Sequence, residues 1–285
     1  MPEWVPVAMT ATINGLAIGL LLFVSAVGLT LIFGMMDVLN LAHGGLFLIG
    51  AYLVAESPTW TTFAVGLAAA TTIGAVAGGA LSLATAPLAR RPHLDQALLT
   101  LGIALVIAEV LSALYGDDVR PANPPPGLDG AVPILGHQYP TYRLAVIGVG
   151  VVLALVFYWM VERTKLGALF RASVADRDMV AAIGIDVRFV RVGVLVVGSA
   201  LAAVAGFLGG PIYNARPGLD STILVLALVV VVIGGLGSVR GVLLASLLVG
   251  QIESTGRALL PSLASFLLFG ALAVTIAVKP KGLLR

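Results

Sequence analysis

Three polar residues with three-residue spacing interrupt an otherwise apolar stretch near the start of the chain. Asp37, Asn40 and His43 precede the glycine pair Gly44-Gly45. Such side chains exchange hydrogen bonds, and within apolar helices they often line a path for polar solutes. No second ligand stands at metal-binding spacing from His43, so a metal or catalytic centre is not expected here. Two interpretations remain: a polar lining of a path, or a broken helix whose ends Asp37 and Asn40 cap while His43 bonds a carbonyl.

The composition shows which kind of protein surrounds these residues. Hydrophobic residues make up 59% of the 285 and charged residues 11%, and the mean hydropathy is +1.08. These values indicate an integral membrane protein. The formal net charge of +2 is too small to suggest a nucleic-acid partner, and the lack of cysteine excludes disulfides and cysteine metal sites.

The hydropathy pattern predicts an all-α transmembrane helical bundle with about eight or nine spans. We expect a single transmembrane domain over residues 1–285, with a broken or re-entrant helix in residues 34–55. The first apolar run is too long for a signal-peptide core and is expected to remain as the first span. The predicted apolar segments are 7–33, 44–55, 61–86, 96–115, 142–161, 192–209, 223–235, 242–255 and 263–278.

The distribution of charge predicts the orientation. Basic residues of alternate loops, including Arg90, Arg91, Arg240 and the C-terminal tail, fall on one side of the predicted bundle. The positive-inside rule places that side in the cytoplasm, with the N-terminus outside and the C-terminus inside.

The longest charged stretch, residues 162–191, has two interpretations. It holds six basic residues, and the spacing predicts a helix over 167–182 with Leu166, Phe170 and Val174 on one face. A solvated positive-inside loop would explain the charges alone. The apolar stripe and the small residues Gly167 and Ala168 favour a helix that docks on a partner.

A glycine-rich turn follows the predicted span 223–235. It runs from Gly234 to Gly241. The pattern of apolar run, glycine break, polar residues and new apolar run over residues 233–247 is a faint internal echo of residues 32–46. Repeats of this type often flank the central site of a transporter.

Three stretches together resemble one known family. They are the run 28–34 followed by 40–45, the charged segment 162–191 and the late glycine turn. They occur in the same order as in the LivH-like permeases, the membrane subunits of branched-chain amino-acid ABC importers. The family's motifs fall on Arg163, Gly167, Arg171, Ala172, Asp176 and Gly184 in the charged segment, and on Gly234, Gly235, Gly237, Ser238 and Gly241 in the turn.

The resemblance implies a permease in a bacterial or archaeal cytoplasmic membrane, surrounded by lipid and working without a cofactor. Its implied partners are two cytosolic ATP-binding subunits, a second permease subunit, often a LivM-like one, and an external solute-binding protein. Residues 162–191 would be the cytoplasmic coupling segment. The chain has no Gly-Lys-Ser/Thr phosphate loop, so any ATP hydrolysis is expected on the partner subunits and this subunit would not be an enzyme.

Other functions remain open at this point. Leucine, isoleucine and valine are the family's default substrates, but urea and short-amide importers share the motifs. An ion-coupled secondary transporter would need titrating carboxylates within its spans, and Glu109 and Glu253 are the candidates. Ion pairing or a position near the membrane surface explains these two residues more simply. A passive channel is the third possibility.

Overall fold

The computed structural model describes residues 4–36, 39–88, 91–134, 137–280 and 282–284. The described chain is almost entirely α-helical. The helices are α1 Trp4–Met36, α2 His43–Ala55, α3 Trp60–Thr85, α4 His93–Tyr115, α5 Thr141–Arg163, α6 Lys165–Ala175, α7 Arg177–Ala182, α8 Val187–Tyr213, α9 Leu219–Gly234, α10 Val239–Leu259 and α11 Ala264–Val278. Short 3₁₀ turns at Ala86–Leu88 and Pro261–Leu263 extend α3 and precede α11. The prediction of an all-α polytopic bundle is confirmed.

Two helices form the centre of the bundle. Helix α1 packs against α5, α8, α9 and α10, and α8 packs in addition against α2 and α3. Many apolar residues of α1 are buried, and Phe23 and Leu29 are completely so. Helices α3, α4, α5 and α11 are long and apolar, but most of their surface faces outward. This arrangement matches a protein whose outer helices contact lipid or other subunits.

Close helix contacts in the centre depend on glycine. A Cβ added at Gly28 would lie 2.6 Å from the carbonyl oxygen of Gly198, and one added at Gly206 would overlap the backbone of Phe47. Small residues allow helix backbones to approach within the membrane, where apolar surface alone does not drive association. Five further glycines within the helices have neighbours as close to an added Cβ: Gly15, Gly19, Gly74, Gly78 and Gly210.

Six of the described helices are long and apolar enough to cross a membrane. Helices α2 and α9 are apolar but shorter, with 13 and 16 residues. Helix α10 has 21 residues and carries Arg240, Glu253 and Arg257. Counting all three with the six gives nine, so the predicted number of eight or nine spans depends on how these helices lie in the bilayer and stays a prediction.

A small β-hairpin, which the sequence pattern did not predict, lies in the proline-rich loop before α5. Strands β1 (Ala131–Ile134) and β2 (His137–Pro140) pair antiparallel, with Ala131 opposite Pro140. The same loop is tied to the turn after α8, because Arg120 and Ala215 exchange backbone hydrogen bonds of 2.8 and 3.1 Å.

Candidate functional site

The break between α1 and α2 lies within the bundle. Asn40 is only 3% exposed; its Oδ1 accepts a hydrogen bond from the amide of Ala42 at 3.2 Å, and its carbonyl accepts one from the amide of His43, also at 3.2 Å. Asn40 therefore satisfies backbone groups that the broken helix leaves free. The predicted site residue Asp37 lies outside the described residues.

His43 joins the start of α2 to the middle of α1. Its ring is completely buried, and Nε2 lies 3.0 Å from the carbonyl oxygen of Ser25 and 3.3 Å from the hydroxyl of the same residue. A carbonyl oxygen only accepts, so Nε2 carries the proton in this contact. The other ring nitrogen has no hydrogen-bond partner among the described residues. His43 thus makes the carbonyl contact expected of a residue at a broken helix.

Thr100 of α4 completes the hydrogen bonds of the break, and the sequence analysis did not identify it. Its buried hydroxyl accepts from the amide of Leu41 at 3.1 Å and lies within 3.4 Å of the carbonyl oxygen of Leu39. A cavity of about 10 Å³ beside Asn40 and Thr100 has room for about one water molecule. The space beside Asn40 and Thr100 is therefore too small for an amino acid in this conformation.

The glycine pair brings the start of α2 close to two other helices. A Cβ at Gly44 would overlap the backbone of Asp220 in the first turn of α9, and one at Gly45 would lie 3.2 Å from Ile107 of α4. The two short apolar helices α2 and α9 therefore begin beside each other. Interrupted helices that meet in this way are common at the central sites of transporters.

The charged segment forms two short helices instead of the single one predicted over 167–182. Thr164 begins α6, because its Oγ1 accepts from the amide of Gly167 at 3.2 Å. Asp176 ends α6 and begins α7, because its Oδ1 accepts from the amide of Met179 at 2.9 Å. Gly184 follows with a φ of 86°, a backbone conformation that favours glycine. Capping at Asp176 is the physical reason for the second helix start.

Two of the predicted coupling residues hold α6 against the end of α5. A Cβ at Gly167 would overlap the carbonyl oxygens of Met160 and Val161. Arg171 donates a hydrogen bond to the Val161 carbonyl and lies 4.0 Å from the Glu162 carboxylate. The other predicted coupling residues in these helices, Arg163 and Ala172, are exposed, as is Asp176.

The predicted apolar stripe on this segment is partly wrong. Phe170 is buried and Val174 packs against the core, but Leu166 is 72% exposed. Leu166 lies in the first turn of α6. Three further large apolar side chains of this end of the molecule are also exposed: Met179 at 63%, Ile183 at 68% and Phe189 at 78%.

The late glycine turn connects α9 to α10 with the backbone that only glycine readily adopts. Gly235 and Gly237 have φ values of 98° and 78°. Gly234 and Gly241 pack backbone to backbone. Ser238 begins α10 by accepting from the amide of Gly241 at 3.1 Å, and its hydroxyl donates to the carbonyl oxygen of Leu284 at 2.8 Å.

The structure brings all three motif stretches to one place. A Cβ at Gly34 would lie 3.0 Å from Gly237 Cα, 3.5 Å from Val174 and 3.6 Å from Phe170. The end of α1, the late turn and α6 therefore share one contact, which we call the glycine junction (Gly34, Phe170, Val174 and Gly237). The two halves of the internal echo, residues 32–46 and 233–247, meet in it.

Comparison with known sequences identifies the family. Residues 11–277 match the family described as "Branched-chain amino acid transport system / permease component". The chain belongs to this family. As a branched-chain amino acid permease component, it is similar to the high-affinity branched-chain amino acid transport system permease protein LivH of Escherichia coli, with 26% identity over 95% of this chain and 93% of that protein.

Other permeases of the family show similar agreement. BraD of Pseudomonas aeruginosa is 26% identical over 95% of this chain and 94% of its own length. A probable branched-chain amino acid transport permease, LivH, of Methanocaldococcus jannaschii is 28% identical over 82% and 76%. Among solved structures, PsaBC from Streptococcus pneumoniae in complex with Fab has a TM-score of 0.49 and 11% identity over 93% of this permease and 89% of that chain.

Proposed function

We propose that this permease is the membrane subunit of an ATP-driven ABC importer that translocates leucine, isoleucine and valine. An external solute-binding protein delivers the substrate. Two cytosolic ATP-binding subunits supply the energy, and a second permease subunit, LivM-like, completes the membrane pore. The proposal is supported by family membership over residues 11–277 and by relatives that are named as branched-chain amino acid permeases.

The glycine junction is the structural observation that carries the mechanism. It joins α6, at the centre of the proposed coupling segment, to the end of α1, which is followed by the break at Asn40. A displacement of α6 by an ATP-binding subunit therefore reaches the start of α2 through packed backbone and side chains. Tightly packed contacts transmit such displacements because they have few voids in which to absorb them.

Exposed side chains mark the surface on which an ATP-binding subunit docks. Leu166, Met179, Ile183 and Phe189 expose large apolar groups at the end of the bundle that carries six basic residues. An apolar surface with charged surroundings is typical of a protein interaction site. In this proposal that end is cytoplasmic, the N-terminus is outside and the C-terminus is cytoplasmic.

The proposed path runs past the start of α2, between Asn40, His43 and the glycine pair on one side and the first turn of α9 on the other. The small cavity at Asn40, with room for about one water molecule, corresponds to a state in which the substrate does not pass. Movement of α2 relative to α9 and α4 opens the path, because these helices meet at Gly44 and Gly45.

One of the two carboxylates that an ion-coupled transporter would need for titration is held in an ion pair. Glu253 is 6% exposed and forms an ion pair with Arg257 one turn later on α10. An ion pair of this kind explains a buried carboxylate without proton transport. Glu109 lies on an exposed face of α4.

Competition for uptake tests the substrate. Cells expressing the complete transporter, with their other leucine transporters deleted, take up labelled leucine in the presence of excess unlabelled isoleucine, valine, urea or acetamide. We expect isoleucine and valine to suppress uptake and urea and acetamide to have no effect. Suppression by urea or acetamide alone would assign the permease to the short-amide importers, and a failure to accumulate solute above the external concentration would indicate a passive channel.

A further inference from the structure

A second cavity, separate from the glycine junction, lies at the same end of the bundle. Its volume is about 710 Å³, and it is lined by α7, the first turns of α8 and the 3₁₀ turn that extends α3. Three arginines line it: Arg177, Arg188 and Arg191. The remaining lining residues are Ala86, Pro87, Asp178, Ala181 and Val187. We call it the arginine cavity.

The three arginines of this cavity form no ion pair within the described part of the chain. Five arginines elsewhere in the chain form ion pairs: Arg91, Arg120, Arg171, Arg240 and Arg257. No carboxylate of the described residues lies within 4.0 Å of the guanidinium groups of the arginine cavity. The Nε of Arg191 is buried and has no hydrogen-bond partner in the described part of the chain.

A buried guanidinium nitrogen without an acceptor is unfavourable, and neighbouring positive charges increase the penalty. Three arginines and the single Asp178 carboxylate give the lining a formal charge of +3 − 1 = +2. An anion in the cavity would relieve both the missing acceptor and the repulsion.

The chemistry of the lining selects the anion. The planar guanidinium group matches the oxygen geometry of a phosphate group and can bind it through two parallel hydrogen bonds. The walls at Ala86, Pro87 and Val187 belong to the ends of two helices that are long and apolar enough to cross a membrane. The headgroup regions of a bilayer lie at the ends of helices that cross it. Basic pockets between transmembrane helices at this level bind anionic lipid headgroups.

We infer that the arginine cavity binds a phosphate group, supplied by an anionic phospholipid of the adjoining leaflet or by free phosphate. Arg191 and Arg188 on α8 hold the phosphate oxygens, and Arg177 on α7 closes over them. The occupied cavity links α7 to α3 and α8 and so steadies the segment between α6 and α8. The inference does not depend on which solute the permease carries.

Native mass spectrometry of the purified permease tests the site with two lipids, phosphatidylglycerol and phosphatidylcholine. We expect the wild-type protein to retain phosphatidylglycerol preferentially. The double variant Arg188→Gln/Arg191→Gln should bind it at least about tenfold more weakly, a loss of about 1.4 kcal/mol or more, because it removes two of the three guanidinium groups that line the cavity. Asp178→Asn should bind it more tightly, because the substitution removes the one negative charge of the lining.

A matched control separates the site from the general positive charge of this end. The double variant Arg163→Gln/Lys165→Gln also removes two exposed charges, which do not line the cavity, and it should retain phosphatidylglycerol like the wild type. Equal losses in the two double variants would overturn the inference. If Arg188→Gln/Arg191→Gln does not fold, Arg177→Gln replaces it, because Arg177 is exposed on α7. Unchanged binding of phosphatidylglycerol by Arg177→Gln would then overturn the inference.

Thermal unfolding in detergent micelles that contain phosphatidylcholine distinguishes the two phosphate sources. A higher unfolding midpoint with phosphatidylglycerol alone identifies a lipid site, and a higher unfolding midpoint with inorganic phosphate alone identifies a free phosphate site. In either case Arg188→Gln/Arg191→Gln, or Arg177→Gln in its place, must abolish the increase. If these variants lose the ATP-binding subunits but keep both midpoint gains, the cavity is a protein contact and the inference fails.

Discussion

Gly34 at the end of α1 and Gly237 in the turn before α10 lie so close that a Cβ added at Gly34 would be 3.0 Å from the Cα of Gly237. The two residues are 203 positions apart in the chain (237 − 34). Phe170 and Val174 of α6 pack on the same contact, so the glycine junction joins the proposed coupling segment to the helix that leads into the break at Asn40. Any side chain larger than hydrogen at Gly34 disturbs this link.

Gly34→Val should reduce uptake by about tenfold or more, because an overpacked contact costs about 1–3 kcal/mol and displaces α6 from α1. Gly79→Val is the matched control, since a Cβ at Gly79 has no neighbour within 4 Å in the described structure. Uptake of labelled leucine is measured at equal amounts of permease in the membrane. Wild-type uptake by Gly34→Val would show that the glycine junction has no mechanical role.

Thr100→Val should lower the stability of the permease by about 1–3 kcal/mol, because it leaves the partly buried amide of Leu41 without its acceptor. Thr72→Val is the control: Thr72 is exposed, and its hydroxyl bonds only the carbonyl oxygen of Ala68 within its own helix. Thermal unfolding of both variants in the same detergent gives the comparison. Equal unfolding midpoints would mean that Thr100 does not support the break.

His43→Leu and Asn40→Ala should reduce uptake by about fivefold to tenfold while the ATP-binding subunits still co-purify. Each variant removes a hydrogen bond of the break, and about 1 kcal/mol changes an equilibrium about fivefold. The measurements are uptake and the amount of ATP-binding subunit recovered with the permease. Loss of that subunit would contradict the separation between the path and the docking surface.

Met179→Asp and Ile183→Asp should each abolish co-purification of the ATP-binding subunits, because a charge on an exposed apolar contact residue must lose its hydration in the complex. Val119→Asp is the control, because Val119 is 55% exposed in the loop after α4, at the opposite end of the bundle. Full recovery of the ATP-binding subunits with both Met179→Asp and Ile183→Asp would show that the docking surface lies elsewhere.

Arg171→Glu and a bulky residue at Gly167 are expected to release the ATP-binding subunits as well, and the structure supplies an indirect reason. Arg171 contacts Val161 and Glu162, and Gly167 packs on the end of α5. Both substitutions therefore displace α6 instead of removing a direct contact. Arg171→Lys, which keeps the charge, should restore part of the binding; retention at wild-type level by both original variants would show that α6 does not position the docking surface.

Hydropathy and capping residues predicted most of the fold. The broken helix before Gly44 follows from local sequence, because glycine and side-chain caps act on their own neighbours. Helix α8 begins at Val187, five residues before the predicted span 192–209, because Asp186 caps its first turn. The split at Asp176 could have been read from the same capping rule. The pairing of Gly34 with Gly237 and the reach of Thr100 to Leu41 could not be predicted, since they depend on tertiary packing between distant segments.

ATP dependence of uptake tests the central claim most directly. The assay uses right-side-out membrane vesicles that contain the permease, its second permease subunit and the ATP-binding subunits. ATP is loaded inside the vesicles, and the solute-binding protein is added outside. We predict that labelled leucine accumulates with ATP, that a protonophore leaves this accumulation unchanged and that vesicles without ATP show none. Accumulation that ignores ATP and collapses with the proton gradient would contradict the account.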